Sequence, residues 1–136
     1  PTTFSLFFRK KSKRRYVIRI NNADSDSLVL LKDAPFNAQI GVFGHEFNHL
    51  VDYSNRSFFG VLNRLFQYRK DETKEMYEKE IDEMTINIGL GWQLYDWSHH
   101  VIYQSKGKIE YVEFKKKIYL EPIEIDEIIN DLGEEQ

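Results

Sequence analysis

The chain has 136 residues, a net charge of −3, 41% hydrophobic and 15% aromatic residues, and no cysteine. That is enough apolar material for one buried core and too much for a disordered polar chain. Disulfides and thiolate metal sites are excluded, no apolar run approaches the ~20 residues of a membrane span, and nothing in the overall charge points to nucleic acid.

The first third reads as strands. Thr3 to Phe8 and Arg15 to Ile20 are short runs of aromatic and β-branched residues, and Ser27 to Leu31 is a third. Asn21 to Ser25 has turn composition. Six of the seven residues from Arg9 to Arg15 are basic. With no aromatic residue interleaved for base stacking, they read as the solvated tip of a hairpin. The expectation is a small antiparallel sheet preceding a helix.

That helix is expected from about Asn37, a candidate N-cap, to Asp52. It carries His45-Glu46-Phe47-Asn48-His49, an H-E-x-x-H motif. Histidines four residues apart on a helix lie about 40° apart around its axis, so their ring nitrogens can converge on one Zn²⁺. Glu46 sits one step round and can take a proton from a water at such an ion. Ile40, Phe43, Phe47, Leu50 and Val51 fall on the opposite side and are expected to face the core. Gly41 and Gly44 keep the histidine side open to a substrate or a second helix. Asp52, seven residues after His45, is a candidate for contacting a ligand rather than the ion itself.

A third protein ligand is needed, and the H-E-x-x-H-x-x-G-x-x-H variant is excluded because Asp52 and Asn55 stand where it requires Gly and His. Ser57 to Tyr68, with Ser57 as cap, reads as a core helix, and Lys70 to Lys74 as a polar connection. The next helix, Glu75 to Ile88, has Tyr77, Ile81, Met84 and Ile88 as its apolar seam and should end at Gly89-Leu90-Gly91. Glu78 and Asp82 border that seam four residues apart. One can bind a metal while the other accepts the second N–H of a ligating histidine.

These two segments resemble the gluzincin zinc metallopeptidases, whose pattern is H-E-x-x-H followed some tens of residues later by E-x-x-x-D. The likeness spans Asn37 to Asp82, with Ile81 where the family often has alanine, and is greatest to its minimal members. It implies His45, His49 and Glu78 as zinc ligands, Glu46 as general base and Asp82 as partner to a ligating histidine. It also implies a peptide or protein substrate, bound by β-augmentation on an edge strand, for which Arg15–Ile20 or Ser27–Leu31 are the candidates.

Trp92 to Tyr103 is aromatic-rich. Tyr95, His99, His100 and Tyr103 form the pool from which an oxyanion-stabilising group would come. Tyr111 to Tyr119 has helical character, and Glu121-Pro122 opens a last helix to Leu132 with proline near its first position. The expectation is therefore one α+β zincin-like domain over residues 1–136: a small antiparallel sheet on an active-site helix and a glutamate helix, with a helical C-terminal part. Its expected activity is zinc-dependent peptide hydrolysis. The alternatives are an inactive zincin-like scaffold for a protein partner, or a zinc amidase acting on a small molecule. Starting at Pro1 without methionine, the chain is consistent with a trimmed portion of something longer. The compartment stays open: cytoplasmic, or periplasmic or secreted if a leader was removed.

Overall fold

The computed structural model describes residues 13–21 and 29–134. Among them there is no strand, which corrects the α+β expectation: the architecture is helical throughout. A 3₁₀ turn, Leu31–Asp33, leads into α1 (Phe36–Asn55). Then follow α2 (Phe58–Gln67), α3 (Asp71–Thr85), α4 (Gly91–His99), α5 (Ile109–Ile118) and α6 (Pro122–Glu134). One π-helical turn (Ile86–Leu90) joins α3 to α4, and a second (His100–Gln104) follows α4. No helix of the described residues is long and apolar enough to cross a membrane.

The expected strand Thr3–Phe8 lies outside the described residues. So do the turn from Asn22 to Ser25, most of the basic run, and the start of Ser27–Leu31, whose end is the 3₁₀ turn. Arg15–Ile20 is described and is not a strand. Its period-2 pattern is nevertheless real: Arg14, Tyr16 and Ile18 are half-buried while Lys13, Arg15, Val17 and Arg19 are exposed. Alternation of this kind needs one covered face, and helices provide it as readily as a sheet does. Tyr16 packs on the cluster Tyr53, Val61, Tyr77 and Ile81, and Arg14 donates from Nη1 to the carbonyls of Tyr53 and Arg56 at the end of α1.

Helix boundaries follow local chemistry. Ser57 caps α2, its hydroxyl accepting from the Gly60 N–H at 3.2 Å. Asn37 is inside α1, not its cap, and its side chain instead donates to Asp96 on α4. The connection expected at residues 70–74 is already helix from Asp71, where Asp71 and Glu72 complement the positive end of the dipole. Gly89 ends the glutamate helix with φ of 87°, a conformation that glycine adopts without steric cost.

The packing of α1 reverses the orientation expected from its apolar residues. The buried side carries Gly41, Gly44, His45, Asn48, His49 and Asp52, while Phe47 and Val51 are about half exposed. Glycine explains how helices come so close. A Cβ on Gly41 would lie 2.1 Å from the Gln93 carbonyl oxygen of α4, and one on Gly44 would meet Leu90 at 2.6 Å. A bulkier apolar stripe cannot make that approach. The polar groups so buried satisfy one another: Asn48 Nδ2 donates to Thr85 Oγ1 at 2.9 Å, and Thr85 Oγ1 donates to the Ile81 carbonyl at 2.8 Å. A second apolar cluster, Ile86, Leu94, Leu120 and Ile125, fastens α6 and the end of α5 against α4.

Candidate metal centre

Helix α1 supplies His45 and His49, and α3 supplies Glu78, from their buried sides. His45 Nε2 lies 3.0 Å from His49 Nε2 and 3.1 Å from Glu78 Oε2, and His49 Nε2 lies 3.2 Å from the same oxygen. All three residues are buried, Glu78 completely. Four donors at 2.0–2.1 Å around a tetrahedral zinc lie about 3.3 Å apart. The observed triangle is close to one face of that tetrahedron, with a corner left over.

Hydrogen bonds behind the rings decide what these atoms offer. His45 Nδ1 is 2.7 Å from Asp82 Oδ1. A carboxylate only accepts, so this nitrogen carries a proton, and in the neutral ring it is Nε2 that turns a lone pair inward. Asp82 is itself held, its Oδ2 accepting the Leu120 N–H at 2.9 Å. His49 Nδ1 is 3.0 Å from the hydroxyl of Tyr77, which lies 3.5 Å from Asp52 Oδ2. With Tyr77 donating towards that carboxylate, its oxygen accepts from His49. Asp52 therefore stands outside the triangle, behind Tyr77, and is clamped by Arg56 at 2.7 Å and Arg64 at 3.4 Å.

With both rings neutral, two lone-pair nitrogens and a carboxylate oxygen would share one point with no donor among them. Such a group needs a cation. Glu78 Oε1 is also buried without a hydrogen-bond partner among the described residues. The electrostatics give the same answer. Burial opposes charge on His45, but Asp82 and Glu78 outweigh it and hold the ring pKa up at about 10. Burial likewise opposes the Glu78 carboxylate, and pairing with His45 and His49 outweighs it, holding its pKa at about 2. A proton or a metal ion can supply the missing charge. The N₂O donor set, with both outer nitrogens pre-oriented, fits zinc.

Glu46 is half-buried and faces two openings. A cleft of about 600 Å³ is lined by Glu46, His49, Phe43, Leu50 and Tyr68, with residues 17–21 along its rim. A smaller pocket of about 220 Å³, sharing Glu46 and Tyr119 with the cleft, is bounded by His45, Glu46 and Asp82.

The suggested oxyanion pool is elsewhere. Tyr95, His99 and Tyr103 stack on one another along α4 and the turn after it, His100 is buried beside Trp97, and none of the four lines either opening. Two unanticipated residues are there instead. The Tyr119 ring lies 5.5 Å from the His45 ring, and Lys115 Nζ lies 4.1 Å over Tyr119 and 5.5 Å from Tyr111. Burial, with Glu78, Asp82 and Glu46 nearby, pushes the Tyr119 hydroxyl well up, so it stays a neutral donor. Tyr111 and Lys115 share one face of α5 at four-residue spacing, and Tyr119 follows just past the helix end.

The chain matches no protein-family model, no curated protein and no solved structure. A function for it therefore rests on the chemistry of this site.

Proposed function

We propose that the protein is a metal-dependent hydrolase of amide bonds, with peptides as its substrates. The observation that carries this reading is the convergence of His45 Nε2, His49 Nε2 and Glu78 Oε2 within 3.2 Å, beside a glutamate that lines an open cleft.

His45, His49 and Glu78 would hold the ion. When bound, a zinc ion supplies Lewis acidity, polarising a carbonyl and lowering the pKa of water at its open position towards ~7. Glu46 accepts a proton from the attacking water as its oxygen adds to the amide carbon. It then returns that proton to the departing nitrogen as the C–N bond breaks, so one amide and one water give one acid and one amine. Asp82 and Tyr77 keep both imidazoles in the tautomer whose Nε2 faces inward. Lys115 and Tyr119 are the groups near the site able to donate towards developing negative charge.

The larger cleft, about 600 Å³ and open to solvent, can admit a segment of a peptide. The test is digestion of a mixed peptide library by the purified chain. Cleavage should be abolished by a chelator, restored by zinc and missing from Glu46→Gln. Cleavage that persists in chelator would refute the reading.

A further inference from the structure

The 220 Å³ pocket is too small for an extended peptide and lies below the roughly 300 Å³ where ligand pockets usually begin, so it suits one side chain or one short-chain group. Val42, Leu94, Trp97, Val101 and Ile102 make its walls largely apolar. Into this lining α5 brings Lys115. Its ammonium rests over the rings of Tyr119 and Tyr111, and among the described residues no carboxylate stands within ion-pair distance of it.

Two of the three nearby acids are committed elsewhere; the third, Glu46, lines the same pocket without an ion pair to the ammonium. Asp82 serves His45 and the Leu120 N–H, and Glu78 serves the two histidines. Cation–π contact returns only part of what an ammonium loses on leaving water, and burial accordingly lowers the Lys115 pKa against the pull of Glu78 and Glu46. A ligand anion would complete the pairing. With a divalent ion held by the histidines, that ion and Lys115 together balance Glu46, Glu78 and Asp82, so an entering anion meets no net negative charge.

We infer that this pocket binds a carboxylate carried on a short apolar group, with Lys115 as its counter-ion. The substrates of the hydrolase proposed above would then carry a free carboxylate close to the scissile amide, as a peptide C-terminus or an acyl amino acid does. The substrate assignment rests on that proposed activity; the carboxylate site itself does not.

The test compares 4-methylpentanoate with 4-methylpentanamide, two probes differing only in the charged group, by saturation-transfer NMR on the zinc-loaded full chain. The carboxylate should bind at least about tenfold more tightly, the range of a charge-assisted hydrogen bond. Lys115→Met should remove that preference and Lys115→Arg should keep it. Equal binding of the two probes to the unaltered protein would overturn the inference with no variant needed. A preference that survives in Lys115→Met would also overturn it, since the ion alone would then hold the anion. Matched acetyl-dipeptides ending in leucine or leucinamide separate the two proposals. Equal cleavage of both sinks the carboxylate site while leaving the hydrolase, whereas selective binding without cleavage of either sinks the hydrolase while leaving the site.

Discussion

The Nε2 atoms of His45 and His49 face each other at 3.0 Å, while the other nitrogen of each ring is engaged by Asp82 or Tyr77. Two neutral imidazoles gain nothing from such an approach. It is favourable only around a positive charge, and the buried Glu78 oxygen at the same point adds to that demand. The expected behaviour of the protein follows from this arrangement.

Glu46→Gln retains the shape of the side chain and removes its capacity to take a proton. The variant should bind the same amount of zinc as the unaltered chain and lose about 10²- to 10⁴-fold in peptide cleavage. Elemental analysis alongside a fluorogenic peptide assay checks both halves. Undiminished turnover would remove Glu46 from the reaction.

Tyr77→Phe deletes the acceptor for the His49 Nδ1–H while leaving Asp52 with Arg56 and Arg64. Loss of an outer partner of this kind weakens metal binding by about 10- to 100-fold. Competition against a chromogenic zinc chelator measures it. An unchanged affinity would mean that the tyrosine orients nothing.

The metal-free protein should have a distinctive pH profile. The His45 pKa, raised from 6.5 to about 10 by Asp82 and Glu78 against burial, gives stability that is fully present below 6.5 and lost as pH rises through about 10. The Glu78 pKa, lowered from 4.5 to about 2 by the histidines against burial, gives stability that is present above 4.5 and lost as pH falls through about 2. Both contributions overlap between 4.5 and 6.5, so thermal stability of the metal-free form should be highest there and fall towards pH 10. Zinc replaces the proton on His45, so loading at pH 7.5 should release protons, seen by calorimetry in two buffers of different ionisation enthalpy.

Gly41→Ala places a Cβ 2.1 Å from the Gln93 carbonyl oxygen, which is backbone and has no rotamer by which to move aside. α1 and α4 must separate, at a cost of about 1–3 kcal/mol or more. The melting temperature should drop by several degrees, and zinc affinity should drop with it because α1 carries both histidines. A variant as stable as the parent would mean that the crossing is looser than the structure has it.

Much of the site was legible in the sequence because it depends on spacing alone. A step of four positions from His45 to His49, and again from Glu78 to Asp82, puts each pair on one helix face whatever the helix packs against. Which face would be buried was not legible. Phe43, Phe47, Leu50 and Val51 outweigh the histidine side on any hydrophobic scale, yet the glycines let α4 approach the polar side, and mutual hydrogen bonds remove the penalty of burying it. On α3 the expected seam does face the core at Tyr77, Ile81 and Met84, and burial extends to the bordering Glu78, Asp82 and Thr85; Ile88, in the π turn beyond the helix, is 59% exposed. The sheet failed for a related reason. The alternation from Arg14 to Ile18 is genuine, but it records a covered face and not the identity of the cover. Lys115 and Tyr119 were passed over because the run from Tyr111 to Tyr119 holds three consecutive lysines, and a charged run reads as solvated surface unless its four-residue spacing is followed.

The most direct measurement is zinc stoichiometry, by plasma emission after equilibrium dialysis, for the unaltered chain and for Glu78→Ala. One ion per chain should be found in the first and a substoichiometric amount in the second. No bound zinc in the unaltered chain, or a full complement in Glu78→Ala, would contradict a centre built from His45, His49 and Glu78.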